Sequence, residues 1–500
     1  MMSVDWYRTT TGNPINQYNI QSIHDIDEQH KSLYINKITR MQPKLSQSST
    51  RYHMSHRMFT HQYGSIYYCR LNKLRQNAIN NAHAHYNHDQ SIKICGKVLD
   101  LRSGEKCIIG GTLYKEMKLK PSILDELTHT NKKIDNDNMK LNQHVLQTSN
   151  VQTYINSDDT LILEDEYGRV QLQYNPNTLY NINSYVSGIV VALYGEVNDD
   201  NDRFIIDDIF YSTIPINSVT SIPKQLSSSI SHQPEYILFV SGLSIGNPLN
   251  THNSIELLID YITGVNGSTN DQSHAAHITR VIICGNTLHR FELKKGKDFM
   301  KVELDVNELS YPLQQLDCTI TQLCSTVDTH IMPGQLDPAN YTLPQQPLHS
   351  TLFPSANTYN TFHSETNPIQ LHVSNSSNQK LNILGCSGQN IDDMKKYTEY
   401  KAAIDLLQCT LEWCHLAPTA PDTLNCYPYE SDDPFTIDEW PDIYFSANSD
   451  SYETRLYTNS RQQQSRLLMI PNYTTTQLAV LVDINTTDLN TIPIHFPTYT

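Results

Sequence analysis

Four short segments carry the residue types that decide what chemistry this chain can do. They are Ser241-Gly242-Leu243-Ser244, Gly285-Asn286-Thr287-Leu288-His289, Pro333-Gly334-Gln335-Leu336-Asp337 and Ala447-Asn448-Ser449-Asp450. They follow apolar runs such as Tyr236–Val240 and Arg280–Cys284, or sit in strongly patterned turns. Loops beyond the carboxyl ends of buried parallel strands are where α/β sheets bind ligands. Carboxylates and imidazoles gathered there hold divalent cations for hydrolysis. His289, Asp337 and Asp450 are groups of that kind, whereas Ser241, Asn286, Gln335 and Asn448 are neutral and Leu243 and Leu336 offer no donor atom. Two dications about 3.5–4 Å apart repel by roughly 20 kcal/mol at an effective dielectric of about 20. A bridging carboxylate and an anionic ring of ligands must offset that repulsion, and the residues here supply neither.

Other groups invite sharper readings that their spacing does not sustain. His83, His85 and His88 cluster beyond a helical stripe, without the fourth ligand and spacing of a zinc site, and read as exposed polar residues. Cys409 and Cys414 have no second cysteine pair and read as buried small side chains on a helix. His415 and Asp422 lack partner ligands, so His415 reads as a loop histidine held by backbone hydrogen bonds. Lys115, Lys118 and Lys120, and again Lys294, Lys295 and Lys297, form two weak basic groups that read as solvated surface.

The elements that must position these residues fall in a legible order. With 500 residues, more than one core is expected. Residues 1–50 are polar and read as an irregular arm. In 51–91, Phe59, Tyr63, Ile66, Tyr67, Leu71 and Leu74 lie on one helical face. Residues 92–212 turn to short strands with glycines at corners, and Leu161–Leu163 and Val170–Leu172 flank a hairpin connection. That pattern suggests a small closed barrel of the OB kind, with 128–157 as a mobile Asn-rich insertion. A Ser- and Pro-rich linker covers 213–234. From 235 to 500 the rhythm is strand, helix, strand, with Ser254–Ile262 helical in period and Ser254 placed like a cap.

Lysine and arginine number 36 against 52 acidic residues, a net charge of −16. Such a chain repels phosphate backbones, so autonomous DNA binding is not expected. Glu164, Asp165, Glu166, Asp207 and Asp208 make the barrel region acidic too, which argues against base stacking there. The first residues lack the apolar core of a secretory leader. No apolar run approaches the roughly 20 residues of a membrane helix. Ten scattered cysteines suit a reducing compartment.

In order and context, the four loops resemble those of the calcineurin-like metallophosphoesterases, which read Asp-x-His, Gly-Asp-x-x-Asp, Gly-Asn-His-Asp/Glu and Gly-His-x-His. Against that pattern Ser241 replaces the first Asp and Leu243 its His. Asn286 replaces the bridging Asp, and His289 the second acid. Gln335 and Leu336 replace Asn and His, and Asp337 alone survives. Ala447, Asn448 and Asp450 stand for Gly, His and His. Two longer segments resemble signatures of the B-subunits of DNA polymerase delta. One is Met332–His349, with Pro333, Gly334, Asp337, Pro338, Asn340, Tyr341, Pro344, Gln345, Gln346 and Pro347. The other is His415–Leu424, with His415, Pro418, Thr419, Pro421 and Asp422. The likeness spans about residues 55–490.

This resemblance implies an α+β multidomain protein: an OB-fold β-barrel plus a calcineurin-like phosphoesterase domain of stacked β-sheets flanked by helices. Its metal site would be degenerate, with no cofactor and no catalysis. It implies a nuclear scaffold in DNA replication and repair that grips the cysteine-rich C-terminal module of the catalytic subunit and binds the third subunit. The catalytic subunit of polymerase zeta would be a further partner, with DNA met only indirectly and no membrane. The Pro-rich loops 333–354 and 418–434 read equally as interaction surfaces or as rigid turns. An active phosphodiesterase or nuclease, a single-strand-binding module, and the B-subunit of another replicative polymerase are the alternatives.

Overall fold

In this computed structural model, the described residues are 40–42, 46–54, 60–89, 91–120, 153–175, 180–198, 202–214, 233–247, 252–265, 268–289, 294–295, 302–303 and 306–496. Most of the 1–50 arm, of the 128–157 insertion and of the 213–234 linker lies outside them, as do Phe59 and Lys297. Three residues at the end of the arm are not irregular. They form strand β1 (Ser46–Ser48), antiparallel to residues 371–373.

Helix α1 (Gly64–His85) follows from apolar residues three and four apart. Ile66, Leu71, Leu74, Ala78, Ile79 and Ala82 are buried, together with one charged residue, Arg70. The helix stops where Asn87 and His88 take positive φ, at 54° and 56°. Such left-handed residues cannot continue a right-handed helix.

Six strands follow: β2 (Lys93–Cys95), β3 (Cys107–Glu116), β4 (Thr160–Glu164), β5 (Arg169–Tyr174), β6 (Val190–Val197) and β7 (Phe204–Tyr211). The order β3-β4-β5-β7-β6 closes on itself through a β6–β3 ladder, with only β5 and β7 parallel in the ring. Closure removes exposed edges. Leu113, Leu163, Leu172, Leu193 and Phe204 are buried in its core. The connection at 165–168 is tied by Asp165, whose Oδ1 accepts from the amides of Tyr167 and Gly168, each at 2.8 Å. Helix α1 packs on β3, β6 and β7.

The rest of the chain builds four layers. The elements are β8 (Tyr236–Val240), α2 (His252–Thr263), α3 (Thr269–Ala276), β9 (Ile278–Cys284), a short ladder of β10 (Lys294–Lys295) with β11 (Val302–Glu303), α4 (Val306–Cys324), β12 (Asp328–Met332), β13 (Phe362–Ser364), β14 (Ile369–Ser374), β15 (Lys380–Cys386), α5 (Gln389–Met394), α6 (Ala403–Glu412), β16 (Ile443–Ser449), β17 (Glu453–Thr458), β18 (Gln464–Pro471), α7 (Tyr473–Thr476), β19 (Leu478–Asp483) and β20 (Thr491–His495). Ser254 lies inside α2 rather than at its cap.

One six-stranded sheet runs β13-β12-β9-β8-β19-β20, the first four strands parallel. The other runs β1-β14-β15-β16-β18-β17, with β15, β16 and β18 parallel. Alternation along each strand sends one set of side chains between the sheets. Phe239, Ile282, Met332 and Val480 there meet Leu371, Ile383, Phe445 and Leu468. The outer face of the first sheet carries α2 and α4 through Leu258, Ile262, Leu316 and Ile320. The outer face of the second carries α5 and α6 and shares one apolar cluster with the barrel, running through Val186, Trp413 and Leu416. Each such buried side chain contributes about 1.5–3 kcal/mol. Among the described residues, no helix is long and apolar enough to cross a membrane.

Candidate functional site

The parallel strands β8, β9, β12, β15 and β16 end at a common edge, where their loops interlock through hydrogen bonds. Ser241, wholly buried, follows β8; its hydroxyl accepts the amide of Asn448 at 3.0 Å and donates to the carbonyl of Pro471 at 3.0 Å. The Asn448 side-chain amide donates across to Ser387 beyond β15, to its carbonyl at 2.9 Å and its hydroxyl at 3.0 Å. Ser387 in turn donates to the carbonyl of Cys284 at 3.1 Å. Asn286 accepts the amide of Leu336 at 3.0 Å. Asn286 and Asn448 both hold positive φ, 54° and 55°, a conformation asparagine tolerates better than most residues.

The loops are too close for larger groups. A Cβ on Gly285, whose φ is +86°, would lie 2.2 Å from the Ser387 hydroxyl. A Cβ on Gly334 would lie 2.4 Å from Asn286. Backbone and neutral side chains therefore fill the space between these loops.

Asp337 has a different occupation from a ligand. Its Oδ1 accepts from the amides of Thr287 and Leu288, at 2.8 and 3.0 Å, and from the Thr287 hydroxyl at 2.7 Å. Its Oδ2 accepts the Gly334 amide at 2.8 Å. Burial raises its carboxyl, and those hydrogen bonds partly oppose the rise. Asp337 thus clasps the loop after β9 to the loop after β12. Of the remaining positions, Leu243 is buried, His289 is partly buried, and Gln335, Leu336 and Asp450 are exposed. Two leucines, neutral amides and a carboxylate already holding four donors do not fit a pair of dications.

The two signature segments also have structural duties. Gln345 exchanges backbone hydrogen bonds with Asn367 at 2.7 and 3.0 Å, and its side chain donates to the Gly334 carbonyl at 3.0 Å. Gln346 fastens the segment before α1: its side chain donates to the Tyr52 carbonyl and accepts the Met54 amide, both at 2.9 Å. Asn340 accepts the Gln346 amide at 2.7 Å and donates to the Pro344 carbonyl at 3.1 Å. Pro333 and Pro344 are buried, Pro338 exposed and Pro347 intermediate; Tyr341 stands out, 59% exposed. In the second segment Pro421 is partly buried, Thr419 donates to Asp393 at 2.7 Å, and Asp422 pairs with Lys120 at 2.6 Å.

His415 is buried, and its partners go beyond backbone. Nδ1 accepts the Ala417 amide at 3.2 Å, so Nε2 carries the proton that it gives to Asp433 at 2.8 Å. Burial, reinforced by the nearby Arg70 guanidinium, pushes the His415 imidazole down to about 4, so it is neutral near pH 7. Asp433 also receives Arg70 Nε at 2.7 Å. Burial alone would raise the Asp433 carboxyl, but Arg70 and His415 outweigh it and hold it well below the usual carboxylate range. Arg70 donates further to the carbonyls of Gly188 in the barrel region, at 3.1 Å, and of Pro418 and Ala420, at 2.8 and 2.6 Å.

The remaining groups follow their surroundings. Lys115 is not a solvated lysine: it is 2% exposed and donates to the Tyr397 carbonyl at 2.8 Å. Lys118 pairs with Asp158 at 2.8 Å. The side chains of Lys294 and Lys295 lie outside the described residues. His85 and His88 are exposed, and His83 is partly buried beside His88, ring nitrogens 3.1 Å apart. Cys409 and Cys414 are buried free thiols. Sequence reasoning missed Arg70, Asp433 and the role of Ser387. Arg70 was detectable as a lone charge inside an apolar helical stripe, Ser387 as the residue after an apolar strand.

Two family models match the chain. One describes the OB-fold domain of DNA polymerase delta subunits and covers residues 62–209; the other describes the B-subunits of DNA polymerases alpha and epsilon and covers residues 237–455. Both describe subunits of DNA polymerases, the class that barrel and layered domain together define. Among relatives, the DNA polymerase delta small subunit of Oryza sativa subsp. japonica is 38% identical, over 86% of this chain and 92% of its own. That of Arabidopsis thaliana is 38% identical over 86% and 90%. The DNA polymerase delta subunit 2 of Drosophila melanogaster is 29% identical over 90% and 97%. The chain belongs to the DNA polymerase delta small-subunit family, accessory subunits of that polymerase.

Proposed function

We propose that this chain is a non-catalytic scaffold built on a calcineurin-like phosphoesterase fold whose metal cleft has become a hydrogen-bonded joint. One observation carries the reading: Asp337, the surviving acid of the family pattern, spends both oxygens on four donors from its own and the neighbouring loop. Of the other seats, most hold serine, asparagine, glutamine, alanine or leucine, and His289 and Asp450 are the two that keep a ligand-type group, too few for a pair of dications. The division into helical segment 51–91, barrel 92–212 and layered domain 235–500 supports one protein serving two partners. These are the cysteine-rich C-terminal module of the catalytic subunit and the third subunit, with the polymerase zeta catalytic subunit as a further client. The site of action is the nucleus, and DNA is reached through the partners.

Exposed residues of the first signature loop suit such docking: Leu336 is 37% exposed and Tyr341 59%. Solvent-exposed apolar groups on a hydrogen-bonded loop lose little entropy when covered. Co-expression of this chain with the catalytic subunit's C-terminal module and with the third subunit tests the proposal. A stable ternary complex on size exclusion is expected. Failure of the folded chain to retain either protein would remove the scaffold reading.

A further inference from the structure

A second group of ligand-type side chains lies at the opposite end of β12 from the interlocked loops. Asp328 and His330, two apart on β12, point the same way. The ladder sets His363 of β13 beside His330 and Arg280 of β9 beside Asp328. His330 is also beside Ile282, which packs between the two sheets, so the group sits at the edge of that interior.

The geometry there is unresolved by the protein itself. Asp328 Oδ1 is 2.8 Å from His363 Nε2. Glu365 Oε1 is 2.8 Å from His330 Nδ1. An ionised carboxylate only accepts, so His330 Nδ1 carries a proton, which leaves Nε2 as the ligand atom of the neutral ring. That Nε2 is buried without a hydrogen-bond partner among the described residues. It faces Asp328 Oδ2 at 3.9 Å, too long for a hydrogen bond. Arg280 Nε, 3.6 Å from the same oxygen, supplies one positive charge. Asp328 and Glu235 both act on Arg280, and Glu365 adds a third carboxylate beside His330.

We propose that Asp328, His330 and His363 form a binding site for one divalent transition-metal ion of the zinc class. The three ligand atoms all lie within 4.8 Å of one another, so modest side-chain rotation would bring them inside the roughly 4.4 Å that two bonds of about 2.2 Å can span. Two imidazoles and one carboxylate select zinc-like cations over magnesium or calcium. His363, 35% exposed at its side chain, gives the ion a path to solvent and a water as fourth ligand. Glu365 orients His330 through Nδ1, the usual carboxylate–histidine support for a ligand. Its other oxygen accepts the Ser48 hydroxyl at 2.5 Å. An ion here would therefore fasten the edge of one sheet to β1 on the edge of the other.

Cobalt(II) titrated into the chelator-stripped full chain tests this, read by visible absorption and by competition with zinc(II). One cobalt per chain is expected, with the intense bands of a four-coordinate site, displaced stoichiometrically by zinc. His363→Gln, at a partly exposed position, should abolish the bands while circular dichroism stays unchanged. Glu365→Gln should weaken binding about 10–100-fold. Asp450→Asn, in the exposed loop after β16, should leave it unaltered. Absence of bands in the stripped chain, or full-strength bands in both His363→Gln and His330→Gln, would overturn the proposal.

Discussion

Arg70 Nε meets Asp433 Oδ2 at 2.7 Å, and neither side chain has any exposure. The pair joins α1, which lies on the barrel, to the loop that precedes β16. Losing one partner of a buried pair leaves the other charge uncompensated and costs about 3–5 kcal/mol. Arg70→Met should therefore lower unfolding stability by that order, measured by urea denaturation. The larger effect should be separation of barrel from layered domain, visible as a second unfolding transition.

The same cluster sets an acid response. His415 binds its proton at about 4 in the fold and near 6.5 when unfolded. Between those values the unfolded chain holds more protons, so stability falls as pH drops from about 6.5 to 4. The loss approaches about 3 kcal/mol at the lower end. Asp433, depressed in the fold, keeps its stabilisation above the unfolded carboxylate value and loses it only as pH falls further. His415→Gln should flatten the first window and shrink the second, which Arg70 would then sustain without the imidazole, in denaturation midpoints taken across pH.

Lys115 responds in the opposite range. Burial pushes its ammonium down to about 8 from 10.5. Carrying that charge near pH 7 costs on the order of 3 kcal/mol relative to high pH. Lys115→Met gives up the bond to Tyr397 but removes the buried charge. A net gain of about 1–2 kcal/mol near pH 7 is expected, turning into a net loss of about 1–2 kcal/mol well above pH 10.5, where the wild-type lysine is neutral in both the folded and the unfolded chain. Thermal unfolding at the two pH values decides it.

Much of the architecture was legible because periodicity reports burial. The hairpin of β4 and β5, the barrel strands and the continuous apolar runs of β8 and β9 could be read directly. The strand-end loops were legible as sites for the same reason. What they do was not, because a carboxylate that clasps amides looks identical in sequence to one that binds metal; Asp337 is the case in point. Long-range partners were also invisible. Nothing local announces that Ser46–Ser48 pairs with residues 371–373, that Arg70 reaches Asp433, or that His330 and His363 share a face.

The interlocked loops should be intolerant of added volume. In Gly285→Ala the new methyl meets Ser387 Oγ at 2.2 Å on a backbone with φ +86°. Steric overlap and left-handed strain together should cost more than about 2 kcal/mol. Asp337→Ala should cost about 2–4 kcal/mol by orphaning buried amides. Both appear as lowered midpoints in chemical denaturation.

Docking through the first signature loop predicts separable effects. Leu336→Asp combined with Tyr341→Ala changes exposed side chains and should leave the melting temperature within about 1 °C, as surface substitutions do. Affinity for at least one partner subunit should fall at least about tenfold if these groups are buried in the contact. Titration calorimetry against each partner separately checks this.

A hydrogen-bonded joint without a metal pair cannot run hydrolysis. Manganese-dependent cleavage of a chromogenic phosphodiester by the purified full chain measures that directly. The expected rate equals the protein-free background and does not change in Asp337→Asn. Turnover that requires manganese and disappears in Asp337→Asn would contradict the account.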